Sequence, residues 1–327
     1  MKMRNRGVAA WLVVIILLGS SIGVPGQGSP EPPKRLGPGD HSLSVNVNGR
    51  ERTYTVHVPP KYDGKTPMPV VLMFHGGGGT ARGAMKETGW TDKADKAGFL
   101  AVFPEGNRPN MSKPARFVGN PQTWNDGSGR FYAGKQNSDD VGFTNALIDD
   151  LTARFSVDPR RIFVTGFSNG SSMAYRLGVE LSNRIAAIAP VSSSGLRIKD
   201  SKLDRPVSLI AIHGTEDPLN PIEGGDVKLP RGEVDPRPPL RETIQTWARM
   251  LDCPLEPKVI RDQDGVKAVS YAPCKENSGI VFYTIEGMGH TWPGGKSLLP
   301  ERLVGKETNK INADDVIWEF FQKHPKP

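Results

Sequence analysis

Six short runs of β-branched or other apolar residues recur along the chain, at Val70 to Phe74, Phe99 to Phe103, Ile162 to Thr165, Ile185 to Val191, Val207 to Ile212 and Ile280 to Ile285. Runs this short and continuous suit strands covered on both faces, the environment of a parallel sheet. Between them, Thr144 to Arg154, Ser171 to Leu181, Leu240 to Met250 and Ala313 to Phe321 carry apolar residues at helical spacing. The alternation predicts an α/β fold, a mostly parallel twisted sheet with helices on both faces. Ahead of it, Ser42 to Val47 and Thr53 to Val58 alternate in polarity and meet at Asn48 and Gly49, a pair suited to the positive φ angles of a tight turn, so an antiparallel hairpin is expected to open the domain. Two stretches, Asn107 to Ser138 and Pro218 to Pro239, are rich in Gly, Pro and polar residues and read as long loops of the kind that shape binding sites.

The N-terminus has a different character. Lys2, Arg4 and Arg6 precede an apolar run from Val8 to Leu18, which gives way to Gly19, Ser20 and Ser21. That order is the layout of a secretory signal peptide, and the run falls short of the ~20 apolar residues a spanning helix needs. We expect a signal peptide over 1–26, a Pro/Gly-rich linker over 27–40 and one domain over 41–327, with no stable membrane anchor after cleavage and a product that is secreted, extracellular or periplasmic. At 327 residues and 37% hydrophobic, such a chain can bury a sizeable core. The net charge of +7 includes the three basic residues of the leader. Elsewhere basic and acidic residues are interspersed, as at Arg50, Glu51 and Arg52, and no stripe of the kind nucleic acid requires is formed. The two cysteines, Cys253 and Cys274, most simply form one disulfide in an exported chain, with two buried thiols as the alternative.

Gly166, Phe167, Ser168, Asn169 and Gly170 spell G-x-S-x-G between an expected strand and an expected helix. Flanking glycines allow a sharp strand-to-helix turn that lifts a serine hydroxyl above the sheet, and the helix start offers backbone N–H groups to an oxyanion. A triad in the chain order serine, acid, histidine leaves His290 and His324 as bases. His324 lies in a Lys-His-Pro-Lys-Pro tail, whereas His290 follows the run Ile280 to Ile285, so His290 is the choice. Asp217, just past Val207 to Ile212, is the candidate acid, with Glu216 its competitor. It would accept the Nδ1 proton of His290 and stabilise the imidazolium.

Val70 to Phe74 ends in His75, Gly76, Gly77, Gly78 and Gly79. Here backbone must approach something closely, and we assign the oxyanion hole to the N–H groups of Gly77 and Asn169, with Gly78 next in line. A phosphate-cradling loop is the alternative, but no Gly-Lys-Ser/Thr follows. His75 itself reads as structural. Trp292 and Trp124 are candidate substrate-binding residues that could stack on a ring, or else pack their loops. Asp139 and Asp140 read as capping or charging the start of the helix near Thr144. No spacing of His, Cys and acid suggests a metal site.

Taken together, His75 to Gly79, Asp139 to Phe143, the Gly-Phe-Ser-Asn-Gly elbow, His213 to Pro218 and Gly289 to Gly294 resemble the secreted polyhydroxybutyrate depolymerase-like esterases, which are similar to the feruloyl and acetylxylan esterases of the first carbohydrate esterase family. The resemblance implies an α/β-hydrolase fold, a triad of Ser168, Asp217 and His290, a Cys253–Cys274 disulfide, and hydrolysis of carboxylic esters without a cofactor. The implied substrates are feruloyl or acetyl esters of plant polysaccharide or related small esters, with polyester depolymerisation as an alternative. Many such relatives carry further cysteines near Trp124 that this chain lacks, and no polymer-binding module is attached. A peptidase of the same fold and an inactive binding protein are the remaining readings.

Overall fold

The computed structural model describes residues 36–199, 201–228 and 234–327. The expected signal peptide and the linker up to residue 35 lie outside the described residues. A hairpin comes first, β1 (Gly39–Val47) against β2 (Arg50–Val58), turning at Asn48 and Gly49 with φ of 52° and 77°. Both residues sit in the left-handed region that this turn requires. The expected runs then become β3 (Met68–Phe74), β4 (Leu100–Pro104), β5 (Val157–Phe167), β6 (Ala187–Val191) and β7 (Ser208–Gly214). A small two-stranded arm, β8 (Gly225–Lys228) and β9 (Val234–Arg237), stands apart from the main sheet. The chain ends its sheet with β10 (Lys258–Gln263), β11 (Val266–Tyr271) and β12 (Ile280–Ile285).

The ten-stranded sheet runs β1-β2-β4-β3-β5-β6-β7-β12-β11-β10. Its six central strands, β4 to β12 in that order, are mutually parallel, and antiparallel pairs flank them on both sides. The helices are α1 (Ala81–Glu87), α2 (Trp90–Ala97), α3 (Phe131–Lys135), α4 (Asp140–Arg154), α5 (Asn169–Glu180), α6 (Leu240–Met250), α7 (Glu301–Val304) and α8 (Ala313–Lys323).

Side-chain alternation along the buried strands splits the core in two. Val70, Leu72 and Phe74 of β3 face Phe143 and Leu147 of α4, Leu177 of α5 and Trp247 of α6 in one apolar layer. Val71 and Met73 face Ala84 of α1, Trp90 of α2 and Ile317 and Phe321 of α8 in the other. Helices on both faces are what the two-sided burial of these strands demands. This is the α/β-hydrolase fold with an N-terminal antiparallel hairpin.

Some elements depart from expectation. The two long loops carry short structure: Asn107 bridges to Thr123 and α3 follows in the first, and β8 with β9 occupies the second. Asp139 caps α4 by accepting from Gly142 N and Asp140 is the acidic residue of its first turn, as expected, but Asp140 is also buried, pairs with Arg52 at 2.7 Å and accepts the N–H of Asn125 at 2.8 Å. Burial pushes its carboxyl above the ordinary range, opposed chiefly by the Arg52 guanidinium. Cys253 and Cys274 form a disulfide between the end of α6 and the segment after β11.

Candidate active site

The turn from β5 into α5 is tight because two glycines have no side chains to place. A Cβ on Gly166 would overlap the carbonyl of Gly170, and a Cβ on Gly170 would overlap the carbonyl oxygens of Phe74 and His75. Between them Ser168 adopts φ 56° and ψ −119°, a conformation L residues rarely take and one that persists only where the surroundings impose it. Its N–H donates to Val191 O on β6 at 3.1 Å, and its carbonyl accepts from Ser171 N at 3.0 Å. Phe167 and Asn169 are buried on either side, while Ser168 itself keeps partial access to solvent.

Asp217 and His290 lie 73 positions apart and meet at 2.8 Å, Nδ1 of the imidazole to Oδ2 of the carboxylate, both side chains buried. The other carboxylate oxygen accepts the backbone N–H groups of Leu219 and Asn220 at 2.9 and 2.8 Å. Burial pushes this carboxyl up, but the imidazoles of His290 and His213 and the N–H of Asn220 outweigh it and hold the group below the ordinary carboxylate range. Glu216, the competing acid, is exposed instead. The His290 ring lies 4.8 Å, centroid to centroid, from that of Phe167, the residue before Ser168. Ser192, at the end of β6, bonds to Thr291 O at 3.3 Å and ties the histidine loop to the strand beside the elbow.

The glycine loop approaches the elbow from β3. Gly78 N is taken by Gln122 O at 2.6 Å, which removes it from consideration as an oxyanion donor. Gly77 has no such partner, and a Cβ placed on it would sit 3.7 Å from the Cβ of Asn169. The N–H of Asn169 opens α5, where no preceding turn exists to accept it. His75 is buried, accepts Gly106 N at Nε2 and therefore donates from Nδ1 to Gly76 O at 2.8 Å. Burial holds it neutral, its pKa below the ordinary value despite Glu105, which fits a structural role.

The two tryptophans are not arranged as ring platforms. Trp124 is fully buried, edge-on to Phe74, with its indole N–H on His75 O at 2.9 Å. Trp292 is buried with its N–H on Asp314 at 3.2 Å. Both pack their loops, because each indole N–H finds an internal acceptor and the rings fill core. Aromatic rings that do border the glycine loop were not singled out from sequence. Phe131, at a positive φ of 56°, puts its ring tip 4.0 Å from the position a Cβ on Gly77 would take, and Phe117 stands over Gly78 while remaining 53% exposed. No periodicity or motif marks either residue.

A strand-turn-helix elbow, a buried aspartate–histidine pair and a glycine loop on one edge of a parallel sheet define the α/β-hydrolase class. The chain belongs to the phospholipase/carboxylesterase family, whose profile matches residues 61–228. It is 27% identical over 85% of its length to NocK of Nocardia uniformis subsp. tsuyamanensis, a protein named as an esterase on inference, 81% of which is covered. Feruloyl esterase B of Piromyces equi is 28% identical over 75% of the chain, which spans 44% of that relative's length. Among solved structures, an acetyl xylan esterase from Aspergillus awamori superposes with a TM-score of 0.56 at 16% identity, covering 86% of this chain and 99% of that one. The protein is thus a carboxylic-ester hydrolase of α/β-hydrolase type.

Proposed function

We propose that the protein is an exported serine esterase working by two-step acyl transfer. Ser168 attacks the ester carbonyl as His290 takes its proton, and Asp217 holds the imidazole and stabilises its cation. The oxyanion rests on the N–H groups of Gly77 and Asn169. The alcohol leaves with the proton from His290, and water attacks the acyl-enzyme by the same route in reverse. The observation that carries this reading is the buried 2.8 Å pair of Asp217 and His290, whose carboxylate is further anchored by two backbone N–H groups and whose imidazole lies 4.8 Å from the ring of Phe167, the residue before a serine held at positive φ.

Feruloyl or acetyl esters of plant polysaccharide, or related small esters, are the proposed substrates, supported by the names of the sequence relatives. Export is supported by the leader-like N-terminus and by the disulfide. A panel of methyl ferulate, acetylated xylan, hydroxybutyrate oligomers and p-nitrophenyl acetate, run on wild type and Ser168→Ala, tests the reading. Turnover by wild type and none by the variant is the expected result. Equal turnover by both would refute the serine's role.

A further inference from the structure

Beside the elbow lies a buried charge cluster that the acyl-transfer chemistry does not use. Asp126, fully buried, accepts from Asn169 Nδ2 at 3.1 Å and from Arg130 Nη2 at 2.9 Å. Arg130 also donates to Asp235 at 2.7 Å through Nη1 and to Ser194 Oγ at 2.9 Å. Ser194 in turn bonds Ser172 on α5 at 2.8 Å, so the cluster is fastened to the first turns of the elbow helix. Arg237 reaches Asp235 at 3.0 Å and Arg197 reaches it at 3.5 Å.

Among the described residues, three guanidinium groups therefore face two carboxylates, one positive charge in excess. No further carboxylate among the described residues pairs with the cluster. Arg237 is 92% buried and its Nε has no partner, and the Arg197 guanidinium makes only long contacts, at 3.3 to 3.5 Å, to Pro236 O and Asp235. Burial and the mutual repulsion of the arginines lower Arg237 to about 10 and hold Arg197 below its ordinary value. A buried positive charge with unused donors is costly unless something negative completes it. A carboxylate, bound through paired N–H groups, fits a guanidinium best. Phe131 follows Arg130 directly, its ring between that guanidinium, 5.1 Å from the ring centroid, and Gly77. The cluster thus adjoins the place where an ester would sit.

We propose that Arg130, Arg197 and Arg237 form an anion subsite of the reactive centre, selecting esters that carry a carboxylate within reach of the cleaved bond. The proposal rests on the serine-esterase reading above and deepens it. Arg130, whose three nitrogens all donate, acts as the scaffold, while Arg197 and Arg237 supply the free donors.

The test compares matched charged and neutral esters. On the acyl side, p-nitrophenyl hydrogen adipate is set against p-nitrophenyl methyl adipate. On the alcohol side, para-acetoxybenzoate is set against its methyl ester, each rate normalised to hydroxide-catalysed hydrolysis. In at least one pair the charged ester should have kcat/KM higher by about tenfold or more, expressed mainly in KM. Arg197→Met and Arg237→Met should each reduce that ratio by about tenfold, and Arg197→Lys should restore part of it. Arg197 lies at the rim of the cluster, so its variants carry the test if Arg237→Met fails to fold. Turnover of neutral esters with no preference in either pair, or a preference unchanged in Arg197→Met, overturns the subsite alone. Absence of turnover of every ester overturns the esterase reading and the subsite with it.

Discussion

The side-chain amide of Asn169 is bonded in both directions to the backbone of Trp124, accepting its N–H at 2.8 Å and donating to its carbonyl at 3.2 Å. One residue thus joins the elbow to the first long loop, and its own N–H is the proposed oxyanion donor. Asn169→Ala leaves the buried Trp124 N–H without an acceptor. An unfolding titration should register a loss of ~1–3 kcal/mol. Turnover should fall about ten- to hundredfold, since the donor N–H loses its registration.

Gly170 lies against the carbonyl oxygens of Phe74 and His75 at the end of β3. Both are buried backbone atoms, at and just past the end of the strand, and cannot move aside. Gly170→Ala should therefore destabilise by more than ~3 kcal/mol, or abolish soluble expression, although alanine is the better helix former. A melting temperature equal to wild type would show that the elbow is looser than described.

The parallel core was legible because its strands are continuous apolar runs and its hairpin turn is Asn48-Gly49. β10 was not, because Lys258 to Gln263 is an edge strand, exposed and polar along most of its length, with no buried face to impose alternation. Helices α1 and α2 were also missed, both being short and α1 starting right after the glycine loop. At the site, chain order and strand ends pointed to Ser168, Asp217 and His290 as the proposed triad, of which Asp217 and His290 meet at 2.8 Å. The roles of Trp124 and Trp292 were not readable, since an indole in a loop looks the same in sequence whether it packs inward or outward. Arg130 and Asp235 are likewise joined only by the fold, 105 positions apart.

Two carboxyls pull stability in the direction opposite to Asp217. Burial raises Glu87 to about 7, against the opposing pull of His290 and of Leu298 N, and burial raises Asp314 to about 7 despite Gly89 N and Trp292. Their folded-state values exceed those of the unfolded chain, so the stability they contribute is complete below about pH 4 and is lost as pH rises to about 7. The Asp217 carboxyl, held low, contributes above its unfolded value and loses its contribution as pH falls below it. Glu87→Gln should raise the melting temperature at pH 8 and leave it nearly unchanged at pH 4. The gain should be ~1 kcal/mol, discounted because Glu87 is only partly buried.

The disulfide closes a loop with a sequence separation of 21, far from the elbow along the chain. Replacing both cysteines by alanine should cost about 3 kcal/mol by the chain-entropy model. Esterase turnover at 25 °C should be retained. A parallel loss of turnover in a sample shown to be folded would mean that this corner of the sheet shapes the reactive site.

The most direct test of Ser168 as an activated nucleophile is labelling with a fluorophosphonate, followed by peptide mass analysis. Wild type should gain one phosphonyl group on the peptide containing Ser168, and His290→Ala should slow labelling by a factor of a thousand or more. No adduct on folded wild-type protein, or an adduct on another serine with Ser168 untouched, would contradict it.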